Sequence, residues 1–264
     1  MPKWKAKRQW SVDKREGAIH GYVEPQAERM QQEGAASSSS RESKPPPPSH
    51  PPTDDVLDEE RPSALDLMSG VNHPLGRALT WCGWHCESFD TLIDPKHDMR
   101  LKEVQHHLLE KIPTTDLTFI GLDCKTLSKI REKFIPNHPN PPKPLRSDQH
   151  VKGLPGLGEG GQKRVDDANT LVAFTCLLIK RVVQCGNAFG LENPRNSYLW
   201  MLMTLMEDVL DADQWTDTFY AACASAGARC KKQTIRHNVP EFDQIKSECH
   251  HTHDPQEWAP QHIT

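Results

Sequence analysis

From residue 63 onward, short apolar runs alternate with stretches of helical spacing, and most of the apolar runs stop at a polar or acidic residue. This alternation constrains the fold more than any other feature. Residues 64–68 read as a strand followed by Ser69-Gly70. Pro74 opens a helix ending near Trp84, because proline suits the first helical position. Residues 86–93 read as a second strand, ending in Asp94-Pro95. Leu101, Val104, Leu108 and Ile112 keep helical spacing, and 117–122 is a buried-strand run ending at Asp123-Cys124. A Pro- and Gly-rich stretch over 134–161 precedes a long helix over 162–184. Residues 188–191 form a further strand ending at Glu192-Asn193-Pro194, then a Leu- and Met-rich helix over 197–210. Strands are expected at 218–223 and 232–237. The pattern predicts an α/β fold, a parallel sheet with helices on both faces. Such sheets bind ligands at the carboxyl ends of their strands.

The first part of the chain has a different texture. Residues 1–61 contain a serine run at 37–40, a proline run at 45–48 and acidic residues through 54–60. Apolar residues are too sparse there to offset the entropy of ordering. The expected organisation is a disordered arm over 1–61 and one domain over 62–264. The hydrophobic fraction of 36% and the 22 prolines agree with a partly unfolded chain. A net charge of -4 excludes a strong global field toward nucleic acid but not a local basic face. The basic start, Lys3 to Arg8, reads as a solubilising arm, with a nuclear address as the alternative. No signal peptide and no membrane-length apolar run is apparent, so the eight cysteines are expected as reduced thiols of a soluble intracellular protein.

Several constellations carry chemistry. The Ser69-Gly70 turn lets a ligand approach the backbone, and Asp94 lies at the distance where an acidic residue accepts hydrogen bonds from a ribose diol. Glu192 is a carboxylate next to a buried strand end. Cys124 is either a small buried residue or a nucleophile, with Asp123 raising its pKa and Lys125, Lys129 and Arg131 lowering it. The 134–161 stretch is expected as a mobile loop over the site, offering Arg146, Asp148 and His150 to a substrate. Cys223, Cys230, Cys249 and His253 are zinc candidates whose spacing fits no standard finger; buried thiols beside a polar tail are the alternative.

Taken in order, these residues resemble the cytosine-5 DNA methyltransferase superfamily. Asp66-Leu67-Met68-Ser69-Gly70 looks like its first cofactor motif, and Asp94 like the acidic residue after the second strand. Asp98-Met99 looks like the pair that holds adenine. Cys124 falls where the family carries its nucleophile, Glu192-Asn193 where it has its Glu-Asn pair, and Gln233-Thr234-Ile235-Arg236 resembles its later Gln/Arg motif. A closer likeness, over residues 64–260, is to methyltransferase-like reading frames abundant in dinoflagellate genomes, often inside retroelement-like polyproteins. It rests on strings such as Leu145-Arg146-Ser147-Asp148 with His150, Glu192-Asn193-Pro194 with Ser197 and Trp200, and Cys249-His250-His251-Thr252-His253.

The resemblance implies a Rossmann-like class I methyltransferase sheet. Asp94 and Asp98 leave no room for a strand between them, so one edge strand is expected to be absent. It implies S-adenosylmethionine as cofactor, held by Asp66, Met68, Ser69, Gly70, Asp94, Asp98 and Asp123. Cys124, Glu192 and Asn193 become the catalytic set, and Arg131, Arg146, Asp148, His150 and Arg236 the substrate contacts. The sequence departs from the family where Asp123 replaces the proline before the cysteine and where the first motif keeps few glycines. The implied function is methylation of cytosine in nucleic acid, DNA ahead of RNA. The alternatives are a non-catalytic nucleic-acid-binding module of a mobile element, and an inert relic of the fold.

Overall fold

The structure is a computed structural model, and it describes residues 61–132, 142–204, 214–225 and 231–250. Its centre is a six-stranded mixed sheet in the order β2-β1-β3-β4-β6-β5. The strands are β1 (Ser63–Leu67), β2 (His85–Phe89), β3 (Leu117–Gly121), β4 (Ala188–Pro194), β5 (Thr216–Ala221) and β6 (Lys232–His237). The helices are α1 (Pro74–Trp81), α2 (Lys102–Lys111), α3 (Glu159–Gln184) and α4 (Tyr198–Thr204). The expected disordered arm, the 205–210 end of the expected fourth helix, Cys230 and His253 lie outside the described residues.

Strands β2, β1, β3 and β4 are parallel, as the alternation of strand and helix requires. The all-parallel expectation fails at β6, which runs antiparallel to both β4 and β5. Only a 3-10 turn over Ala222–Ser225 follows β5 among the described residues before β6, and the two strands pair directly as antiparallel neighbours. No strand forms between β2 and β3, and β2 stands at the sheet's edge.

Alternation along the strands divides the core. Leu65 and Leu67 of β1, Ile120 of β3 and Phe189 and Leu191 of β4 pack with Leu108 of α2, Leu178 and Ile179 of α3 and Leu199 of α4. The opposite face carries Ala64, Leu117 and Ala188 under Leu79 of α1 and Phe242 of a 3-10 turn over Pro240–Ile245. Helical segments therefore cover both faces. Gly76 lets α1 lie close on the sheet: a Cβ there would stand 2.3 Å from Ser88 Oγ. Asp66 Oδ2 accepts from the Gly76 amide at 2.9 Å, doing from β1 what an N-cap side chain does locally.

The chain leaves β1 through Met68, in the left-handed region at φ 54°, and Gly70 at φ 73°. It then returns, while β3 is entered on the far side of β1 from β2. The connections that enter and leave β1 and β3 thus run to opposite sides, although the strands stay paired to Leu67 and Ile120, and such a switch point is where a doubly wound sheet opens a crevice.

Strand β2 is shorter than expected. It stops at Phe89 because Asp90 diverts the backbone. Its carboxylate accepts from Leu92 N at 2.7 Å, and its carbonyl accepts from the amides of Ile93 and Asp94 at 3.0 Å each. The 134–161 stretch is also not a single loop. Its described part, from residue 142, is pinned by a buried arginine, and α3 begins within it at Glu159.

Candidate functional site

A cleft of about 440 Å³ lies at the carboxyl ends of β1, β2 and β3 and is closed on one side by α3. That is within the ~300–1,000 Å³ of small-molecule sites. Met68, Met99, Leu122, Leu127 and Leu171 give it an apolar floor. Asp90, Asp98, Arg100, Asp123, Lys125 and Arg164 give it a charged rim.

Of the sequence-derived cofactor set, Met68, Gly70, Asp98 and Asp123 line this cleft. Asp94 does not. It follows the 90–93 turn, where its side chain caps the Pro95–His97 turn by accepting from Lys96 N at 2.9 Å. Its expected place belongs to Asp90, directly after β2, whose Oδ2 accepts from Gly70 N at 2.9 Å. One carboxylate therefore fixes the Ser-Gly turn and faces the cleft. Asp66 is also placed elsewhere: it is buried under α1, and that burial raises its pKa. Asp98 is gripped by Arg100, whose Nη2 donates to Oδ2 at 2.6 Å, and this holds its pKa low. The same guanidinium reaches Asp167 of α3 at 2.6 Å, so Asp98 is a fixed wall of the cleft.

The cleft is incompletely satisfied. His97 Nδ1, in the lining, is buried without a hydrogen-bond partner, and so is Ser69 Oγ, which sits in the adjoining turn and does not itself line the cleft. A Cβ built on Gly70 meets nothing within 4 Å, so that backbone faces open space. Orphan polar atoms of this kind carry a desolvation cost that a polar ligand removes. An apolar floor, a carboxylate on a glycine turn and unpaired acceptors and donors suit a nucleoside-bearing ligand.

A second cluster lies at the ends of β3 and β4, where Gly121 is in register with Glu192. Cys124 feels the charge of Glu192, and Lys231 acts on both. Burial raises the Cys124 thiol most, with Asp123 and Glu192 adding to it, while Lys231 opposes. Burial likewise raises Glu192, which keeps a proton to higher pH than an exposed carboxyl. Gln233 Nε2 donates to Glu192 Oε1, and Tyr220, opposite Gln233 in the ladder, is raised by burial and by the same carboxylate. Asn193 is fully buried on the other face of the sheet. Its Nδ2 donates to Leu122 O at 2.7 Å and clamps the end of β3, which makes it a positioning residue.

The substrate contacts expected from the sequence are mostly spent on the fold. Arg146 is 1% exposed. It donates to Thr126 O, Val151 O and Asn169 Oδ1 at 3.1, 2.5 and 2.9 Å, stitching the 142–158 segment to α3. Burial drives its pKa down to about 10. Arg236 pairs with Asp217 at 2.9 Å, and its guanidinium lies 3.8 Å from the Trp215 ring. Arg131 donates to Lys143 O at 3.1 Å, and Asp148 accepts from Lys129. His150 is exposed in a turn with Ser147. Among the described residues no group of three His, Cys, Asp or Glu is placed to hold a metal.

Sequence reasoning missed Asp90, Arg164 and Lys231. The signal for Asp90 was present, since aspartate is poorly suited to a strand interior and marks an end after Phe89. Nothing in the sequence marks Lys231, which meets Cys124 only through pairing of β6 with β4. No protein-family model and no curated protein matches the chain, so the reading of this site rests on its own chemistry.

Proposed function

We propose that the chain is a class I methyltransferase-like enzyme that binds S-adenosylmethionine in the cleft and acts on a cytosine ring in nucleic acid. The observation that carries this reading is the adjacency of two sites at one sheet edge. A nucleoside-sized cleft sits at the ends of β1, β2 and β3, and a thiol–carboxyl pair sits at the ends of β3 and β4. The sheet supports it: four parallel strands, one reversed strand beside the far edge, and, among the described residues, no strand outside β2.

In this reading Asp90 would hold the ribose hydroxyls, Met99 and Leu171 would offer apolar surface to the adenine, and Gly70 would leave room for the rest of the cofactor. The cofactor, when bound, supplies the methyl group. Cys124, as thiolate, adds to a ring carbon of the base, and the displaced electron pair is taken up at a ring nitrogen protonated by Glu192; once the neighbouring carbon carries the methyl group, loss of its proton re-forms the ring double bond and expels the Cys124 thiolate. The raised pKa of Glu192 fits it to donate that proton. The raised Cys124 thiol requires that its own proton leave first, and Lys231 is the cation that favours the thiolate. A base must be unstacked to reach this pair.

Calorimetry with S-adenosylmethionine and with its demethylated product tests the reading. Saturable binding is expected, lost in Gly70→Val, which adds bulk at a positive φ and projects it into the cleft. Absence of binding by the wild type at millimolar ligand ends the enzyme reading. A covalent adduct with a 5-fluorocytosine oligonucleotide is expected from the wild type and not from Cys124→Ser. Cofactor binding without adduct or methyl transfer would leave the non-catalytic module.

A further inference from the structure

We infer that the sheet edge flanking Cys124 and Glu192 is a docking track for a single-stranded polynucleotide, built from Arg195, Lys231 and Lys232 with Phe219. The inference rests on the nucleic-acid reading above and replaces the basic contacts that the fold has consumed.

Pairing brings the three cations together. Arg195 follows directly on β4, and its amide donates to Lys232 O at 3.0 Å. Lys231 immediately precedes β6, where its carbonyl accepts from Ala222 N at 3.0 Å as the chain leaves β5. Because β6 is antiparallel, its amino end lies at the same edge as the carboxyl ends of β4 and β5. All three side chains are exposed, and among the described residues none of them is paired with a carboxylate. Lys231 is the cation felt by both Cys124 and Glu192, while Phe219, in register with Thr234 and through it with Asn193, stands on the opposite face, so the track crosses the end of the sheet beside the pair.

The form of the partner follows from the surface. The Arg195 guanidinium lies 4.4 Å from the Phe219 ring centroid, and Phe219 is 36% exposed. A stacked arginine–phenylalanine pair at the surface is a platform for an unpaired base. Duplex readout uses a helix or a two-stranded ribbon laid in a groove. The antiparallel β5–β6 pair is tied into the sheet through β4 and does not stand free as such a ribbon, and what its end presents is strand ends and turns. Exposed cations beside a stacking platform suit a flexible anionic strand, and a chain of net charge -4 needs such a local patch to bind one.

The test is fluorescence anisotropy on the full chain without cofactor, using labelled DNA and RNA strands of one sequence, about 16 nucleotides long, each alone and annealed to its complement. Three phosphate contacts on a single strand predict roughly 20-fold weaker binding at about 200 mM salt than at about 50 mM. The triple variant Arg195→Gln, Lys231→Gln, Lys232→Gln is expected to bind about tenfold more weakly at low salt and to lose most of that salt dependence. Phe219→Ala should lower affinity by about fivefold or more. Lys180→Gln with Arg181→Gln, exposed on α3 away from this edge, should bind as the wild type does. The two single-strand arms decide between DNA and RNA. Wild-type affinity in the triple variant, equal affinity for duplex and single strand, or no binding by the wild type each overturns the track. S-adenosylmethionine calorimetry on the same variants separates the two claims: cofactor binding should persist when the track is removed. Its absence in a wild type that still binds oligonucleotide would sink the enzyme reading alone.

Discussion

Asp90 and Asp94 are four residues apart and have different tasks. Asp90 holds Gly70 N at 2.9 Å and lines the cleft; Asp94 closes a surface turn on Lys96 N. Asp90→Ala is therefore expected to weaken S-adenosylmethionine binding by about tenfold or more, the worth of a charge-assisted hydrogen bond. Asp94→Ala should leave it within about twofold, since an exposed turn contributes little. Equal losses in the two variants would restore Asp94 to the site. The confusion between them is physical. A ribose-binding acid is found by where its strand ends, and that end was set here by the carboxylate itself, which turns the chain four residues early. Arg146 and Arg236 were misread for a related reason. Arginine is almost never fully buried without compensation, so each looked like a surface contact. Their compensation comes from Thr126, Val151 and Asn169 in one case and from Asp217 and Trp215 in the other, partners remote in sequence.

Among elements, the segment from residue 142 into α3 shows what one buried side chain can hold. Arg146 ties Thr126, beyond β3, to Val151 and to Asn169 on α3, and Leu154 N donates to Leu145 O at 2.9 Å across the loop. Removing the guanidinium leaves several buried carbonyls without donors. Arg146→Met is expected to destabilise the protein by roughly 3 kcal/mol and to open the 142–158 segment to limited proteolysis. Arg146→Lys should rescue little, because one ammonium cannot span a fork of acceptors. Unchanged stability in Arg146→Met would show that the segment is held by Leu145 and its apolar neighbours alone. Strands β1, β3 and β4 were legible because apolar runs bounded by turn residues admit few other readings. The reversal of β6 was not, since strand direction depends on its pairing with β4 and β5 and not on any property of residues 232–237.

At the scale of the whole molecule, the sheet carries ionisable groups whose shifts oppose one another with pH. Glu192 is buried with a raised pKa and accepts from Gln233. Between about pH 4.3 and its higher folded value, the folded protein keeps a proton that the unfolded chain has lost. Stability falls as pH rises through that window, and the deficit persists above it. His237 acts in the other direction. It is 1% exposed, its Nδ1 accepts from Val239 N at 3.2 Å, and burial lowers its pKa. The unfolded chain takes up a proton near pH 6.5 that the folded ring resists, so this contribution is lost as pH falls through about 6.5 toward the lowered value. The two contributions have slopes of opposite sign. Glu192→Gln keeps the shape and an acceptor for Gln233 while removing the buried charge. It is expected to gain on the order of 1 kcal/mol at neutral pH, to match the wild type near pH 4, and to expose the histidine slope between. Denaturant midpoints measured across pH for both proteins decide the matter. Parallel curves would mean that Glu192 ionises in the fold as readily as in the unfolded chain. A carboxyl of that kind could not hold its proton for a ring nitrogen at neutral pH, and the acid role assigned to it would fall with no need of an activity assay.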